Sequence, residues 1–267
     1  MNISSIRIGT LEYLAADNIE APHGFTTRYG GVSQGHLASM NIGTHRGDCT
    51  ENVLKNYEIL GNTIGFDPKK AVLTRQTHTD TVYQVGKEHH GAGLFLPELP
   101  ECDALITNEL GTALVIFTAD CTPVLLHDPV TGAVGAAHAG WRGTASGIAR
   151  KTVEAMVSAY GCRPENIRAA IGPNIGQCCF ETDRDVPDAM LKALGNEAHP
   201  YIRQAGNKYY VNLKELNRLH LSRAGVSSIA VSNHCTACEA QRFWSHRKVG
   251  ALRGSQGAII VCKETCL

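Results

Sequence analysis

Short apolar runs bounded by turn residues fill the middle of the chain. Residues 114–118, 122–127 and 133–138 each have the length and apolar content of a buried strand, and Pro129 and Gly132 sit where the last two must reverse. Further strands are predicted at 103–107, 167–171 and 228–232, with two short ones around His78 within 71–85. A longer period appears between them. Val53, Leu54, Tyr57, Leu60 and Ile64 recur every three or four residues behind Thr50 as N-cap. Ala145, Ile148, Ala149, Thr152, Met156 and Tyr160 do the same over 144–160, with Gly161 and Pro164 at the stop. Helices are also expected over 185–194 and 212–224, the latter closed by Gly225. Residues 6–19 read as an edge strand and a loop, and Gly30 and Gly31 as a turn. Residues 87–100 read as a loop whose His89 and His90 are solvated. Strands interleaved with helices, without repeats, linkers or low-complexity segments, predict an α+β fold in a single domain over 1–267.

The chain of 267 residues, 43% of them apolar, is long enough for one sizeable core. Its 25 basic residues balance its 25 acidic ones, so composition gives no electrostatic case for nucleic acid or an anionic membrane surface. No apolar run approaches the roughly 20 residues that span a bilayer. The start, MNISSIRIGTLEYL, lacks a basic stretch followed by an apolar one. A cytoplasmic protein is therefore expected, with most of its ten cysteines reduced.

Residues able to do chemistry gather at the ends of the apolar runs, where a rigid scaffold usually holds reactive groups. Asp120 and Cys121 lie at one junction. His138 lies at another, followed at once by Gly140, Trp141, Arg142 and Gly143, and His78 stands between the two short strands of 71–85. His78, Cys121 and His138 make a two-histidine, one-cysteine set, the donor count of a catalytic zinc with an open fourth position. The same residues suit a cysteine–histidine pair used for covalent chemistry. Their long spacing leaves both readings open.

The segments HGFTTRYGGVSQG, TADCTPVLLHD, HAGWRG and IGPNIGQCCFE occur in that order. On these the chain, from His23 to about Gly257, resembles the YfiH family, whose members are also called laccase-domain, polyphenol oxidase family or peptidoglycan editing factor proteins. The resemblance implies one cytosolic domain of α/β/β/α layers with zinc on His78, Cys121 and His138. It also implies purine-nucleoside chemistry, namely phosphorolysis of adenosine, inosine and methylthioadenosine together with adenosine deamination. Asn41, Gly43, Asp48 and Asp103 fall on family positions, and the segment carrying Arg28 is placed near the site. Asp120, adjacent to Cys121, is the candidate acid/base, with holding the strand-end loop or a histidine in place as the alternative role. Arg142, then Arg28, is the expected phosphate clamp, and Asn41 a further substrate-binding residue. A turn-stabilising role suffices for Asp103, and core packing for Trp141. The chain departs from the family pattern at Cys49, where an acidic residue is usual, at Phe180, where tyrosine is usual, and at Ser-His-Arg, residues 245–247, for Ser-Tyr-Arg.

The expected partners are small molecules, a purine nucleoside and phosphate. Copper is the alternative metal, since two histidines and a cysteine also make a blue-copper trio, although clustered His-x-His pairs for further coppers are absent. A cysteine–histidine hydrolase and a cytosolic editor of peptidoglycan precursors are competing functions. The HxE…PCxxC pattern of zinc nucleobase deaminases is missing. Adjacent Cys178 and Cys179 are expected to point apart and not to share a ligand role. Cys235 and Cys238 form half of a zinc motif, and completion by Cys262 and Cys266 is not expected, because half a motif is common by chance and these two lie in a terminal tail.

Overall fold

Alternation along the central strands builds two cores at once. The computed structural model describes residues 1–263. Its strands are β1 (Ile3–Ile8), β2 (Leu11–Ala16), β3 (His23–Thr26), β4 (Ala71–Leu73), β5 (Val82–Gln84), β6 (Ala104–Thr107), β7 (Ala113–Thr118), β8 (Thr122–His127), β9 (Val134–Ala139), β10 (Arg168–Ile171), β11 (Glu181–Thr182), β12 (Ile202–Ala205), β13 (Lys208–Val211), β14 (Ser228–Val231) and β15 (Gln256–Val261). The helices are α1 (Thr50–Ile64), α2 (Trp141–Ala145), α3 (Ile148–Tyr160), α4 (Asp185–Leu194), α5 (Leu213–Arg223) and α6 (His246–Val249). Two six-stranded sheets run in the orders β1-β2-β3-β15-β7-β4 and β14-β10-β8-β9-β6-β5. In β7, Leu114 and Ile116 face the other sheet, whereas Ala113 and Val115 join Val53, Tyr57, Leu60 and Ile64 of α1. In β8, Leu125 faces the inter-sheet core, and Val124 and Leu126 meet Ile148, Val153 and Met156 of α3 and Leu221 of α5. The result is the α/β/β/α sandwich that the family resemblance implies. No helix among the described residues is long and apolar enough to cross a membrane.

Several sequence expectations are corrected. Residues 6–19 hold the expected edge strand, since β1 ends its sheet, but a second strand stands where a loop was expected. β1 and β2 form an antiparallel hairpin turning at Gly9, whose φ is 60°. The helix expected over 144–160 starts earlier, at Trp141, and breaks at Gly147, held in the left-handed region at φ 74°. Cys49, not Thr50, occupies the N-cap of α1, without a side-chain cap bond. His89 and His90 are engaged instead of merely solvated. His89 Nδ1 accepts from the Gly86 N–H, and His90 Nε2 lies 2.7 Å from Thr112 Oγ1. A small sheet, β11-β13-β12, covers one flank beside α4. Its strands are too short and polar to show a period.

The two large sheets approach closely where Gly172 ends β10. A methyl group there would sit 2.3 Å from the ring of Phe25 in β3. Gly172→Ala is therefore expected to cost about 1–3 kcal/mol in urea denaturation. Phe25→Leu in the same chain should recover part of that loss, because the clash is with the ring.

Candidate functional site

Strand register brings three distant residues to one end of the second sheet. β8 and β9 pair antiparallel with Pro123 opposite His138, which places Cys121, just before β8, beside the end of β9. β9 also pairs with β6, Ala137 opposite Ala104, so Asp103 lies next to His138. The His138 N–H donates to the Asp103 carbonyl at 2.7 Å, and its Nδ1 bonds Asp103 Oδ1 at 2.7 Å. β5, paired with β6, leads the loop carrying His78 back to the same edge.

Asp103 is fully buried and organises that loop. Its carboxylate accepts the backbone N–H groups of Thr77 at 3.1 Å, His78 at 3.1 Å and Thr79 at 2.8 Å, and the Thr79 hydroxyl at 2.8 Å. Burial pushes this carboxyl up. The bond and charge of His138 and the Thr79 donors outweigh burial and hold it at about 2. The turn it clamps sets His78 at φ 63°, a conformation non-glycine residues keep only when their surroundings enforce it. The only other described non-glycine residue with positive φ is Asp120, at 91°, next to Cys121.

The donor atoms of His78, Cys121 and His138 lie within 4.8 Å of one another, with Cys121 Sγ 3.9 Å from His78 Nε2. The two imidazoles meet edge to face, centroids 5.0 Å apart. A tetrahedral zinc with bonds of about 2.0–2.3 Å asks for donors roughly 3.3–3.8 Å apart, close to what is found. Asp103 occupies His138 Nδ1 and leaves Nε2 free to ligate, the carboxylate–histidine arrangement common behind metal ligands. These residues fit a metal ion. Burial raises the Cys121 thiol, but the His138 charge and hydrogen bonds from both histidines bring it down to about 6. Burial lowers the His138 imidazole, and Cys121 and Asp103 raise it to about 9. Gly140 keeps the cluster open, since a methyl group there would lie 2.8 Å from the His78 ring and 3.4 Å from Cys121 Sγ.

The cluster lines a cleft of about 310 Å³ together with Arg46, Arg75, Gln76, Arg253 and Ser255. Arg75 is paired to Glu98 and Glu101 at 3.7 and 3.6 Å. Arg253 donates to Ser255 Oγ at 3.1 Å, while its buried Nε has no partner among the described residues. Burial, followed by the nearby charge of Arg46, lowers this guanidinium to about 10. Sequence reasoning missed Arg46 and Arg253. The available signal was an Arg-Gly step, present at both Arg46-Gly47 and Arg253-Gly254 and like the Arg142-Gly143 step.

Other expected site residues are placed elsewhere. Asp120 Oδ1 accepts from Thr236 Oγ1 at 2.6 Å and Oδ2 from the Arg247 N–H at 2.7 Å, so its carboxylate holds two loops. The Arg28 guanidinium donates to the carbonyls of Ala240 and Ala38 and lies 3.9 Å over Trp244. Asn41 is buried and bonds Gly43, Asp48 and the Ser255 N–H. Arg142 is exposed and stacks on Trp141 at 4.2 Å. None of Asp120, Arg28, Asn41 and Arg142 lines the cleft.

A family model described as multi-copper polyphenol oxidoreductase laccase matches residues 22–263. The chain belongs to this family. The purine nucleoside phosphorylase YlmD of Geobacillus stearothermophilus is 39% identical over 246 residues, 90% of each chain. A crystal structure of YlmD from that organism, 37% identical, superposes with a TM-score of 0.91 over 97% of this chain and 99% of that one. A Bacillus licheniformis protein titled YfiH, 33% identical, gives the same TM-score over 98% of this chain and 99% of its own. A prokaryotic relative named adenosine deaminase RL5 is 35% identical over 90% of this chain and 93% of its own. The resemblance read from the motifs thus holds across the fold.

Asp103→Ala would strand three backbone donors and the His138 ring. A loss of about 3–5 kcal/mol in denaturant unfolding is expected. The native carboxyl titrates near 2 and the unfolded one at 3.8, so this stabilisation is present above 3.8 and disappears as pH falls to about 2. Acid titration of the wild type against the Asp103→Ala chain should show the difference between them narrowing across that window.

Proposed function

We propose that this chain is a metal-dependent purine nucleoside phosphorylase that also deaminates adenosine, with zinc held by His78, Cys121 and His138. One observation carries the reading: the donor cluster shares its cleft with two guanidiniums close enough to feel each other's charge, Arg46 and Arg253. The names borne by relatives of the same length and fold agree with it. Adenosine, inosine and methylthioadenosine are the proposed substrates, and the cytoplasm the proposed location.

Each group then has a task. In phosphorolysis a phosphate oxygen bonds the sugar C1′ as the C1′–N9 bond breaks, and the purine leaves with those electrons and takes up a proton. Two neighbouring guanidiniums repel until an anion lies between them, and their planar donors suit phosphate oxygens. In deamination water adds at C6 of the purine and ammonia leaves. His78, Cys121 and His138 would hold the zinc with one position open, where it would make a water more acidic, to a pKa of about 7, and polarise an acceptor atom. Asp103 fixes the His138 ring so that Nε2 is the free nitrogen, and the His78 turn is held by the same carboxylate. The phosphate role expected for Arg142 and Arg28 passes to Arg253 and Arg46. Asp120 keeps the strand-end loop in place.

Product analysis on adenosine with and without phosphate tests this. Arg253→Ala is expected to keep its metal and most of its deamination, while phosphorolytic kcat/KM falls about 10- to 100-fold. Arg142→Ala should stay close to wild type in both activities. Equal loss of both reactions in Arg253→Ala would assign Arg253 a structural role. A chelator should abolish both activities, and metal analysis distinguishes zinc from copper.

A second reading has its own observation. Cys121, His138 and Asp103 stand in the order nucleophile, base and orienting carboxylate, with the thiol lowered and the imidazole raised. A cysteine hydrolase would be alkylated at Cys121 at once and survive chelation. The metal enzyme should be alkylated there only after its metal is removed.

A further inference from the structure

Away from the cleft, four thiols converge that sequence reasoning had separated. Sγ atoms of Cys178, Cys179, Cys235 and Cys238 all lie within 4.8 Å of one another. Cys178 Sγ is 3.6 Å and Cys179 Sγ 3.4 Å from Cys238 Sγ. Sulfur atoms on a tetrahedral zinc with bonds of about 2.3 Å lie roughly 3.8 Å apart, whereas a disulfide brings them to about 2.05 Å. The observed separations belong to the first case, and all nine described cysteines are free.

The convergence comes from two tight turns. Cys178 and Cys179 were expected to point apart, as they would on a strand. They lie instead in a helical-sense turn, in which Cys179 and Phe180 both donate to the Gly176 carbonyl. Successive side chains there are separated by about 100°, not 180°, so both can reach one point. Cys235 and Cys238 sit in a similar turn closed by Glu239 N–H to the Cys235 carbonyl at 3.0 Å. A spacing of three puts their side chains on one face. The two turns are tied by the Asn174–Cys235 bridge and by Thr236 N–H to the Asn174 carbonyl. The Gly176 N–H donates to Cys235 Sγ at 3.1 Å, an orientation that favours a thiolate. A methyl group at Gly176 would lie 3.2 Å from Cys178 Sγ and 3.4 Å from Cys235 Sγ, so the glycine keeps the interior of the cluster clear. Of the two tail cysteines, Cys262 is buried against the Gly132 carbonyl, and Cys266 lies outside the described residues.

We propose that Cys178, Cys179, Cys235 and Cys238 form a second, structural metal site that takes zinc through four thiolates. Four protein donors leave no open position, so the ion serves the fold and not the reaction. Four thiolates on a divalent ion carry net negative charge, and the buried Lys214 ammonium lies within charge range of Cys235 and Cys178. The site staples the loop after β10 to the loop after β14. Both loops hold Asp120: Ile175 donates to its carbonyl and Thr236 to its carboxylate. The staple therefore braces the turn that presents Cys121.

Metal counting tests this on the purified full chain loaded with zinc. The wild type should hold about two equivalents per chain, and Cys121→Ser about one, at the four thiols. Cys178→Ser with Cys238→Ser should lose one equivalent and keep the other. Since that variant can misfold, native alkylation of the wild type gives an independent reading. The four thiols should be protected until a chelator is added and then label fully. Absence of zinc from Cys121→Ser would overturn the proposal. So would ready labelling of the four thiols without chelator, or protection that only a reductant removes, which would mean disulfides. The count in the Cys121→Ser background is separate from the first cluster, so failure there and failure of the proposed function can be told apart.

Discussion

A buried carboxylate accepting five hydrogen bonds holds this molecule's cleft together. Asp103 takes three backbone N–H groups and a hydroxyl from the loop of Thr77, His78 and Thr79, and its fifth donor is His138. An ionised carboxylate cannot be buried without such partners. A loop with a left-handed histidine also does not form without an acceptor for its inward-pointing donors. Each side satisfies the other. The same atoms that stabilise the loop fix the orientation of two imidazoles, so the stability and the geometry of the cleft rest on one residue.

The sheets explain how this carboxylate comes to stand beside its histidine. β6, β8 and β9 are buried on both faces, between the opposite sheet and α3 and α5. Their ladder pairs, Ala104 opposite Ala137 and Pro123 opposite His138, deliver Asp103, Cys121 and His138 to adjacent strand ends. The helix-breaking glycines serve the same end. Gly140 admits the His78 ring, and Gly147 divides α2 from α3 so that the chain can leave β9 in one direction and return along the sheet in another.

The fold was legible where burial imposes a period. The strands of β7, β8 and β9 and the helix α1 follow from their apolar patterns, because each packs against a continuous core. The edge strand β1 was read but its partner β2 was not, and the β11-β13-β12 sheet was illegible because its strands are too short to repeat. The donor cluster was legible as residue types at strand ends, and the family motifs gave it a place. Asp103 was seen only as a turn residue, since sequence does not show that five donors converge on one carboxylate. Arg28, Asn41 and Arg142 were singled out by motif position. The structure gives Arg28 and Asn41 to loop carbonyls and amides, and Arg142 to a surface ring. Adjacent Cys178 and Cys179 were expected to point apart because the turn after Gly176 has no sequence period at all.

The two sulfur-containing clusters differ in donor count and in setting. His78, Cys121 and His138 lie along one wall of a cleft, and three donors leave room for a fourth partner from solution. The four thiols lie between two loops, and nothing of the cleft reaches them. An ion held by three donors is exposed to substrate, and its reactivity depends on what orients those donors. An ion held by four has spent its coordination on the fold. Asp120 connects the two, with its carbonyl and carboxylate on the stapled loops and its peptide bond running directly into Cys121. Its left-handed backbone, at φ 91°, is held by those hydrogen bonds, which tie the loops carrying the four thiols to the residue before Cys121.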